Sequence, residues 1–308
     1  MRITPNITMQ NSLYNIQQSR TLLDSLNEKI SSGMNVNRPS DDPVAARLLT
    51  GIADQLKTGD QYASNITKAG NWLQMTNTAL TSMNDTMTLV KQVAGTVTGG
   101  TNDATTVQAA ITQLTSLREQ LADLGNTQQD GQYIFAGTNT TAKPFDRSVN
   151  TTPPATQPLP TDPTYYQGND NTNTIELAVG STENLNIPGS QVLSGPSSNI
   201  LWSLDSLINT LKTNPTDQAT ITTRVNELET GANQIVNAQV ANATKIKRLD
   251  TMTTMNTNTK TTLQSVVANV QNADYAKLAV ELQQQQTAFQ ATLSSTAKIS
   301  QLSLLNYL

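Results

Sequence analysis

The sequence predicts a mainly α-helical protein with a small β insertion, arranged as an elongated antiparallel helical bundle with paired terminal helices. Three observations lead to this prediction. Apolar residues recur at three- and four-residue spacing over most of the chain. That spacing disappears in one central segment rich in Pro, Gly, Asn and Thr, residues 141–196. Both ends carry narrow apolar stripes that are too small to form a core alone, so we expect them to pack against each other.

Composition excludes several classes of function. The 308 residues include no Cys and no His, which excludes disulfides, thiolate nucleophiles, His-based catalysis and His or Cys metal ligands. The net charge is −4 with scattered cations, so no electrostatic footprint for nucleic acid is present. Apolar runs are too short for membrane insertion. We therefore predict no catalytic residues, no cofactor and no metal site.

The first helix is predicted over about 8–31. Its apolar stripe supplies half of a candidate assembly interface, and Gly33 stands where a left-handed residue closes a helix. The N-terminus lacks the apolar core of a cleavable signal peptide. The interface residues on this side are Leu13, Ile16, Leu23, Leu26 and Ile30.

The segment that follows is predicted to be an extended inter-domain joint over 34–41. Pro39 disfavours a helical conformation at Arg38. Asp42 is a good N-cap and Pro43 a good first helical residue. The joint residues are Asn37, Arg38, Pro39, Asp41, Asp42 and Pro43.

A long helix is predicted from Pro43 to about Val97. Glycines at 51, 59 and 70 mark places where it bends or where another backbone comes close. Its apolar seam is Leu73, Thr76, Leu80, Met83, Met87, Val90, Ala94 and Val97. Asp103 should cap a further helix that ends at Gly125, and a short strand is predicted over 132–137.

The central segment should hold short strands at 174–179 and 185–187, joined by a turn at Gly180, with Tyr165 and Tyr166 as a possible third. Helical periodicity returns at Asn199 and stops before Pro215. Asp217 should then cap a second long helix. Polar residues interrupt its seam, so a strict coiled coil is not expected: Gln239, Asn242, Thr253, Asn256 and Lys260.

The last segment supplies the other half of the candidate interface: Leu278, Leu282, Phe289, Leu293 and Leu302. We divide the chain into a terminal assembly domain (1–42 with 265–308), a helical bundle with a short β-hairpin (43–140 with 197–264) and a β insertion domain (141–196). The terminal helices have little apolar area, so we expect them to become ordered on assembly.

Three stretches resemble the flagellin-like axial proteins of the bacterial flagellum. The first is MRIT at 1–4 continuing to SSGMNVNRPSDDPVAA at 31–46. The second is GQYIFAG at 131–137 with KPFD at 143–146, and the third is the tail, FQATL at 289–293 and LSLLNYL at 302–308. The resemblance covers both terminal thirds and is weak across 147–196.

The resemblance implies a non-enzymatic structural subunit that joins the hook-associated region to the flagellin filament. It implies four partners: flagellin, the first hook-associated protein, further copies of this chain in a ring, and a flagellar export chaperone. It also implies an extracellular location, reached without a cleavable signal peptide. The alternative is flagellin itself, the filament subunit, although flagellins usually have Ser-Ala where this chain has Arg38, Pro39 and Ser40.

Two hypotheses from other classes remain. A carboxylate enzyme such as a glycosidase would use Asp162, Asp170 and Glu176 in the insertion, although Asp in turns is commonly structural. A ligand-binding module would use Tyr165 and Tyr166, although neighbouring tyrosines more often pack on a strand.

Overall fold

The computed structural model describes residues 5–99 and 103–305, with the side chains of 5, 6, 8 and 299–305 left undescribed. Within these ranges the α-helices are α1 (Pro5–Ser32), α2 (Pro43–Thr96), α3 (Ala104–Gly125), α4 (Ile200–Thr213), α5 (Gln218–Gln271) and α6 (Tyr275–Leu305). The strands are β1 (Gln128–Gln129), β2 (Gln132–Tyr133), β3 (Thr174–Ala178) and β4 (Ser181–Asn184). The mainly α fold with few short strands is confirmed. None of the helices in the described ranges is long and apolar enough to cross a membrane.

The chain divides into two compact units. The terminal unit comprises the residues up to Thr58 and those from Thr257 onward, and the central unit is Gly59–Asn256. Helices α2 and α5 contribute residues to both units. The finer division of the chain into three domains stays a prediction.

The start and the seam of α2 follow the predicted pattern. The carboxylate of Asp42 accepts the N–H groups of Val44 and Ala45, both at 2.9 Å, and Pro43 has no N–H to satisfy. All eight residues of the predicted seam are fully buried. Of the three glycines, Gly59 is the one with a close neighbour, Asn256, whereas space is open beside Gly51 and Gly70.

Helix α3 begins as predicted, because Asp103 accepts the N–H of Thr106 at 2.7 Å. The strand predicted over 132–137 is too long, since β2 ends at Tyr133. The next residues are fully buried but form turns, and Gly137 has a φ of +71°. Their backbone bonds to other segments instead of to a strand: the N–H of Gly189 donates to the carbonyl of Phe135 at 2.8 Å.

The insertion contains one antiparallel hairpin, β3–β4, which turns at Gly180 with a φ of +69°. The second strand lies at Ser181–Asn184, earlier than the predicted 185–187. The tight turn at Gly180 places Ser181 opposite Ala178, so the strands pair from the first residue after the turn. Tyr165 and Tyr166 form no strand. They are buried, and the Tyr166 hydroxyl lies 2.9 Å from the carbonyl oxygen of Phe135.

An ion pair lies inside the apolar core of the central unit. The guanidinium of Arg118 on α3 donates to both carboxylate oxygens of Asp205 on α4, at 2.9 and 3.2 Å. It also donates to the carbonyl of Asp146 at 2.8 Å, which ties the insertion to both helices. Burial raises the pKa of Asp205 to about 6 while Arg118 opposes the rise. The carboxylate therefore stays charged at neutral pH.

Helix α5 begins where Asp217 accepts the N–H of Thr220 at 3.1 Å and its hydroxyl at 2.7 Å. It ends at Gln271, and α6 starts after a three-residue break. Asp274 caps α6 by accepting the N–H groups of Ala276 at 2.9 Å and Lys277 at 3.1 Å. This break separates the long helix from the terminal one.

Candidate assembly surface

The terminal helices α1 and α6 pack against each other in the terminal unit. Backbone bonds tie the segment after α1 to the break before α6: the N–H of Asn35 donates to the carbonyl of Gln271 at 2.7 Å, and that of Ala273 to the carbonyl of Gly33 at 3.0 Å. Along the helices, the Gln285 amide donates to the carbonyl of Ser19 at 3.3 Å. The predicted pairing of the terminal helices is present.

Gly33 allows this close approach. Its φ is +71°, and its N–H closes α1 on the carbonyl of Lys29 at 2.9 Å, as predicted for a helix C′ residue. A Cβ at this position would lie 2.6 Å from the hydroxyl oxygen of Tyr275. The positive φ therefore favours glycine, and a larger residue would in addition have to displace the exposed side chain of Tyr275.

The structure distributes the predicted interface residues between the inside and the outside of the pair. Leu26 and Leu278 are buried, with 7% and 6% of their surface exposed. Ile16, Leu23, Ile30, Leu282 and Phe289 are half-buried. Leu13 and Leu293 are exposed, and the side chain of Leu302 lies outside the described residues. Contact of these side chains with other chains stays a prediction.

A substantial apolar surface remains open on α1. Ile7, Leu13, Tyr14 and Leu22 are each about half exposed or more. Tyr14 and Leu22 also line a groove of about 710 Å³ together with Gln18, Ser25 and Gln285 of α6. Large apolar side chains left exposed on one helix mark candidate interaction sites in soluble proteins. These four side chains, which are spread over the solvent-exposed half of α1, are called the α1 outer face below: Ile7, Leu13, Tyr14 and Leu22.

Residues 38–41 of the predicted joint form a turn, so the extended conformation predicted for them is wrong, whereas Met34 at the start of the joint forms an antiparallel bridge with Asn272. The N–H of Asp41 donates to the carbonyl of Arg38 at 3.0 Å, and Pro39 takes the second position of this turn, where its fixed φ fits. The Asp41 carboxylate accepts the N–H groups of Arg38 at 2.8 Å and Asn37 at 3.1 Å. These bonds, chiefly the one from Arg38, hold the pKa of Asp41 below its usual range.

The turn is attached to the end of α1. The guanidinium of Arg38 pairs with the Glu28 carboxylate at 2.9 Å, and the Lys29 ammonium donates to the Asn35 side chain at 3.0 Å. Both partners in the ion pair are exposed, so it contributes little to stability. The main ordering contacts of the joint are the Asp41 turn and the Asp42 cap.

The candidate catalytic carboxylates have local structural partners. Asp162 accepts the N–H of Thr164 at 2.9 Å within a turn, and Asp170 bonds to the hydroxyl of Ser190. Glu176 accepts bonds from the Tyr62 hydroxyl and the Gly180 N–H, both at 3.4 Å. Within the described residues no three acidic side chains are grouped so that they could hold a metal ion.

The ligand-binding hypothesis for the two tyrosines is wrong. Tyr165 and Tyr166 are buried, and the ring of Tyr166 packs on Phe145 with a centroid separation of 5.4 Å. Neither ring offers a face to solvent.

Sequence reasoning missed several contacts that shape this site and the core. The contact between Gly33 and Tyr275 joins residues far apart in the chain, and no local pattern signals it. The Asp274 cap could have been predicted from the sequence, because Asp directly precedes the apolar stripe of α6. The sequence also indicated the pair of Arg118 and Asp205, since each charged residue interrupts an apolar helix face.

Comparison with known proteins gives consistent results. The family described as the bacterial flagellin N-terminal helical region matches residues 3–140. The flagellar hook-associated protein 3 of Salmonella typhimurium is 22% identical over 99% of this chain and 98% of its own length. The flagellin of Salmonella muenchen is 28% identical but matches only 41% of this chain and 25% of its own length.

Solved structures share the fold. A putative flagellar hook-associated protein from Vibrio parahaemolyticus has a TM-score of 0.65 at 22% identity, covering 75% of this chain and all of that one. The flagellar junction protein FlgL from Legionella pneumophila has a TM-score of 0.55 at 11% identity, covering 73% of this chain and 99% of that one. Residues 3–140 therefore match the bacterial flagellin N-terminal helical region, and the chain is similar over nearly its whole length to flagellar hook-associated protein 3.

Proposed function

We propose that this chain is a structural subunit of the bacterial flagellum that joins the hook-associated region to the flagellin filament. The observation that carries the proposal is the α1 outer face, a set of exposed apolar side chains on a helix whose main partner among the described elements is α6. The full-length similarity to hook-associated protein 3 supports the position in the flagellum.

Assembly would bury the α1 outer face against neighbouring chains. Fully burying an exposed leucine or isoleucine side chain contributes about 1.5–3 kcal/mol. Ile7, Leu13 and Leu22 are about half exposed, so burying the remainder would contribute roughly half of that for each residue. The proposed partners are further copies of this chain in a ring, flagellin on one side and the first hook-associated protein on the other. A flagellar export chaperone would cover the same apolar stripes before assembly.

The proposed location is outside the cell, in the flagellum. The charge-poor, amide-rich helices and the absence of Cys are compatible with export of an unfolded chain that folds on arrival. The joint is also compatible with export in an unfolded state. The bonds around Asp41 and Asp42 join residues two or three apart in the chain, so they form quickly when the chain folds again.

Flagellin itself is the second candidate. The flagellin N-terminal region supports it, but the flagellin of Salmonella muenchen matches less than half of this chain. The two candidates differ in what the purified chain does alone. Flagellin should extend long filaments from added seeds, whereas a junction subunit should not.

Deletion of the gene tests the proposal, with electron microscopy of the cells and an assay for flagellin in the medium. Complete hooks without filaments, together with monomeric flagellin in the medium, are the expected result. Hooks without filaments and without any other flagellin in the medium would show that the chain is the filament subunit. Normal filaments would overturn both candidates.

A further inference from the structure

Helix α5 carries two asparagines in a row of core positions within the central unit. Ile221, Leu228, Ile235 and Leu249 are buried, and their spacings are multiples of seven residues. Asn242 and Asn256 occupy two further positions of the same row. Asn242 is fully buried and Asn256 is half-buried, so two polar side chains stand where apolar ones would be expected.

Both asparagines bond to the backbone of α2. The Asn242 amide donates to the carbonyl of Leu73 at 2.8 Å, and the Asn256 amide donates to the carbonyl of Gly59, also at 2.8 Å. The two donors are two heptads apart on α5, and the two acceptors are two heptads apart on α2. The contacts therefore belong to one antiparallel register.

Two contacts nearer the surface agree with that register. The Gln239 amide donates to the Thr81 hydroxyl at 2.9 Å, and the Lys91 ammonium lies 3.7 Å from the Glu229 carboxylate. From the first contact to the second, the chain advances ten residues on α2, from Thr81 to Lys91, and goes back ten residues on α5, from Gln239 to Glu229.

The apolar residues alone do not select this register. The α2 seam repeats every seven residues, with Ile66, Leu73, Leu80 and Met87 in one row. A shift of α5 by one heptad would place Leu249 against Leu73 instead of Ile66, so an apolar side chain would still face an apolar one. Apolar pairing between α2 and α5 at this position therefore does not distinguish registers one heptad apart, although contacts of α5 with other segments, such as the Gln234 amide on the carbonyls of Val192 and Ser198, also hold the helix in place.

Asn256 distinguishes between these registers. The same shift would place Asn256 against Ile66, whereas Asn242 would meet Leu80, a leucine like its native neighbour Leu73. Gly59 leaves its carbonyl open, and a Cβ there would lie only 3.2 Å from the Asn256 side-chain oxygen. A branched isoleucine in that place would cover the carbonyl and leave the amide without a partner, which costs about 1–3 kcal/mol.

Asn242 has a free-energy cost in the native register, which supports a role in specifying the register. The side-chain oxygen of Asn242 is buried and has no hydrogen-bond partner among the described residues. A leucine at this position would avoid that cost, so stability alone does not account for the asparagine. A buried Asn at a coiled-coil core position is known to fix register at some expense of stability.

We propose that Asn242 and Asn256 are positioning residues that fix the register of α5 on α2 in the central unit. The amide of each residue bonds to the backbone of the opposite helix, and the contact of Asn256 with Gly59 disfavours the one-heptad shift that the apolar row between α2 and α5 would tolerate. The proposal does not depend on the function in the flagellum.

The test measures register directly in the full chain. The sequence has no Cys, so Thr88→Cys on α2 and Thr251→Cys on α5, both exposed, place two spin labels uniquely. Electron–electron double resonance then gives their separation. A slip of one heptad moves α5 by about 10 Å along its axis, which is well resolved by this method.

The variant pair Asn242→Leu and Asn256→Leu is compared with the unchanged chain. The expected result is a second separation, displaced by about 10 Å, or a clear broadening of the first. Asn237→Leu, an exposed asparagine on α5, is the matched control and should leave a single separation. One unchanged separation in the double variant would overturn the proposal.

The single variant Asn256→Leu gives an independent readout, because this residue distinguishes the registers. Its label separation should broaden, and its thermal unfolding midpoint is measured beside it. If the double variant fails to fold, this single variant decides the question: an unchanged separation would overturn the proposal. A purely structural asparagine would lower the midpoint and leave the separation unchanged.

Discussion

The terminal unit and the central unit both contain amphipathic helices, but the central unit buries their apolar faces and the terminal unit leaves part of them exposed. In the central unit, every residue of the α2 seam from Leu73 to Val97 is fully buried, because α3, α4 and the insertion cover the helices. In the terminal unit, Leu26 and Leu278 are buried, while Leu13 and Tyr14 are 51% and 62% exposed. The difference lies in the number of layers around each helix, and it separates a folding core from a surface that is open to other chains.

The largest expected effect in this comparison comes from the buried ion pair of the central unit. Arg118→Ala should lower the free energy of unfolding by about 3–5 kcal/mol, because it leaves the Asp205 carboxylate buried without its partner. Urea unfolding followed by circular dichroism measures it. The double variant Arg118→Met with Asp205→Leu is the control and should recover most of the loss. Equal losses in both variants would show that the charge is not the cause.

Truncation of one leucine in each unit compares the two regions directly. Leu80→Ala should cost about 2–5 kcal/mol, since Leu80 is fully buried in a multilayer core. Leu26→Ala should cost less, because a two-helix layer can relax and part of the site is already near solvent. Thermal unfolding of both variants checks the order. A larger effect at Leu26 would contradict the distinction between the units.

Gly33 offers a smaller, local test of the terminal unit. Gly33→Ala should destabilise the α1–α6 pair by about 1–3 kcal/mol, because its φ of +71° is strained for alanine and the Tyr275 hydroxyl occupies the space. Hydrogen exchange of the amides around 271–278 reports this local loss. Gly51→Ala is the matched control: it lies in α2 with open space beside it and should be neutral or stabilising. Equal exchange in the two variants would contradict the account.

The smallest expected effect concerns pH and the joint. The pKa of Asp41 is lowered in the folded chain, so its turn is stabilised above the usual Asp pKa of about 3.9. That stabilisation is lost as the pH falls through the lower folded pKa. NMR titration of the Asn37 and Arg38 amides should follow this loss, and Asp41→Asn should remove the pH dependence. Amide shifts that titrate equally in the variant would rule out Asp41 as the cause.

The sequence predicted those parts of the fold that depend on local chemistry. The Asp42, Asp103 and Asp217 caps and the α2 seam came from spacing and side-chain type, which act within one or two turns of a helix. The assembly-interface residues came from the same periodicity, which identifies an apolar stripe but not which of its members are covered. Leu26 and Leu13 belong to one stripe, yet one is buried and the other exposed.

The errors arose where contacts between distant segments decide the structure. The 132–137 segment has strand composition, but its carbonyls bond to the insertion and its chain turns at Gly137. The joint is an exception, because the bond that turns it is local: the Asp41 carboxylate accepts the N–H of Arg38, three residues earlier in the chain. The polar residues Asn242 and Asn256 looked like interruptions of the α5 seam, whereas both bond to α2.

Assembly through the α1 outer face is the central claim, and the most direct test is complementation of a gene deletion with a surface variant. Leu13→Asp with Leu22→Asp places two charges on that face, while Leu159→Asp, at an exposed leucine of the insertion, is the matched control. Electron micrographs should show hooks without filaments for the first variant and normal filaments for the control. Normal filaments with both variants, at equal protein levels, would contradict the claim.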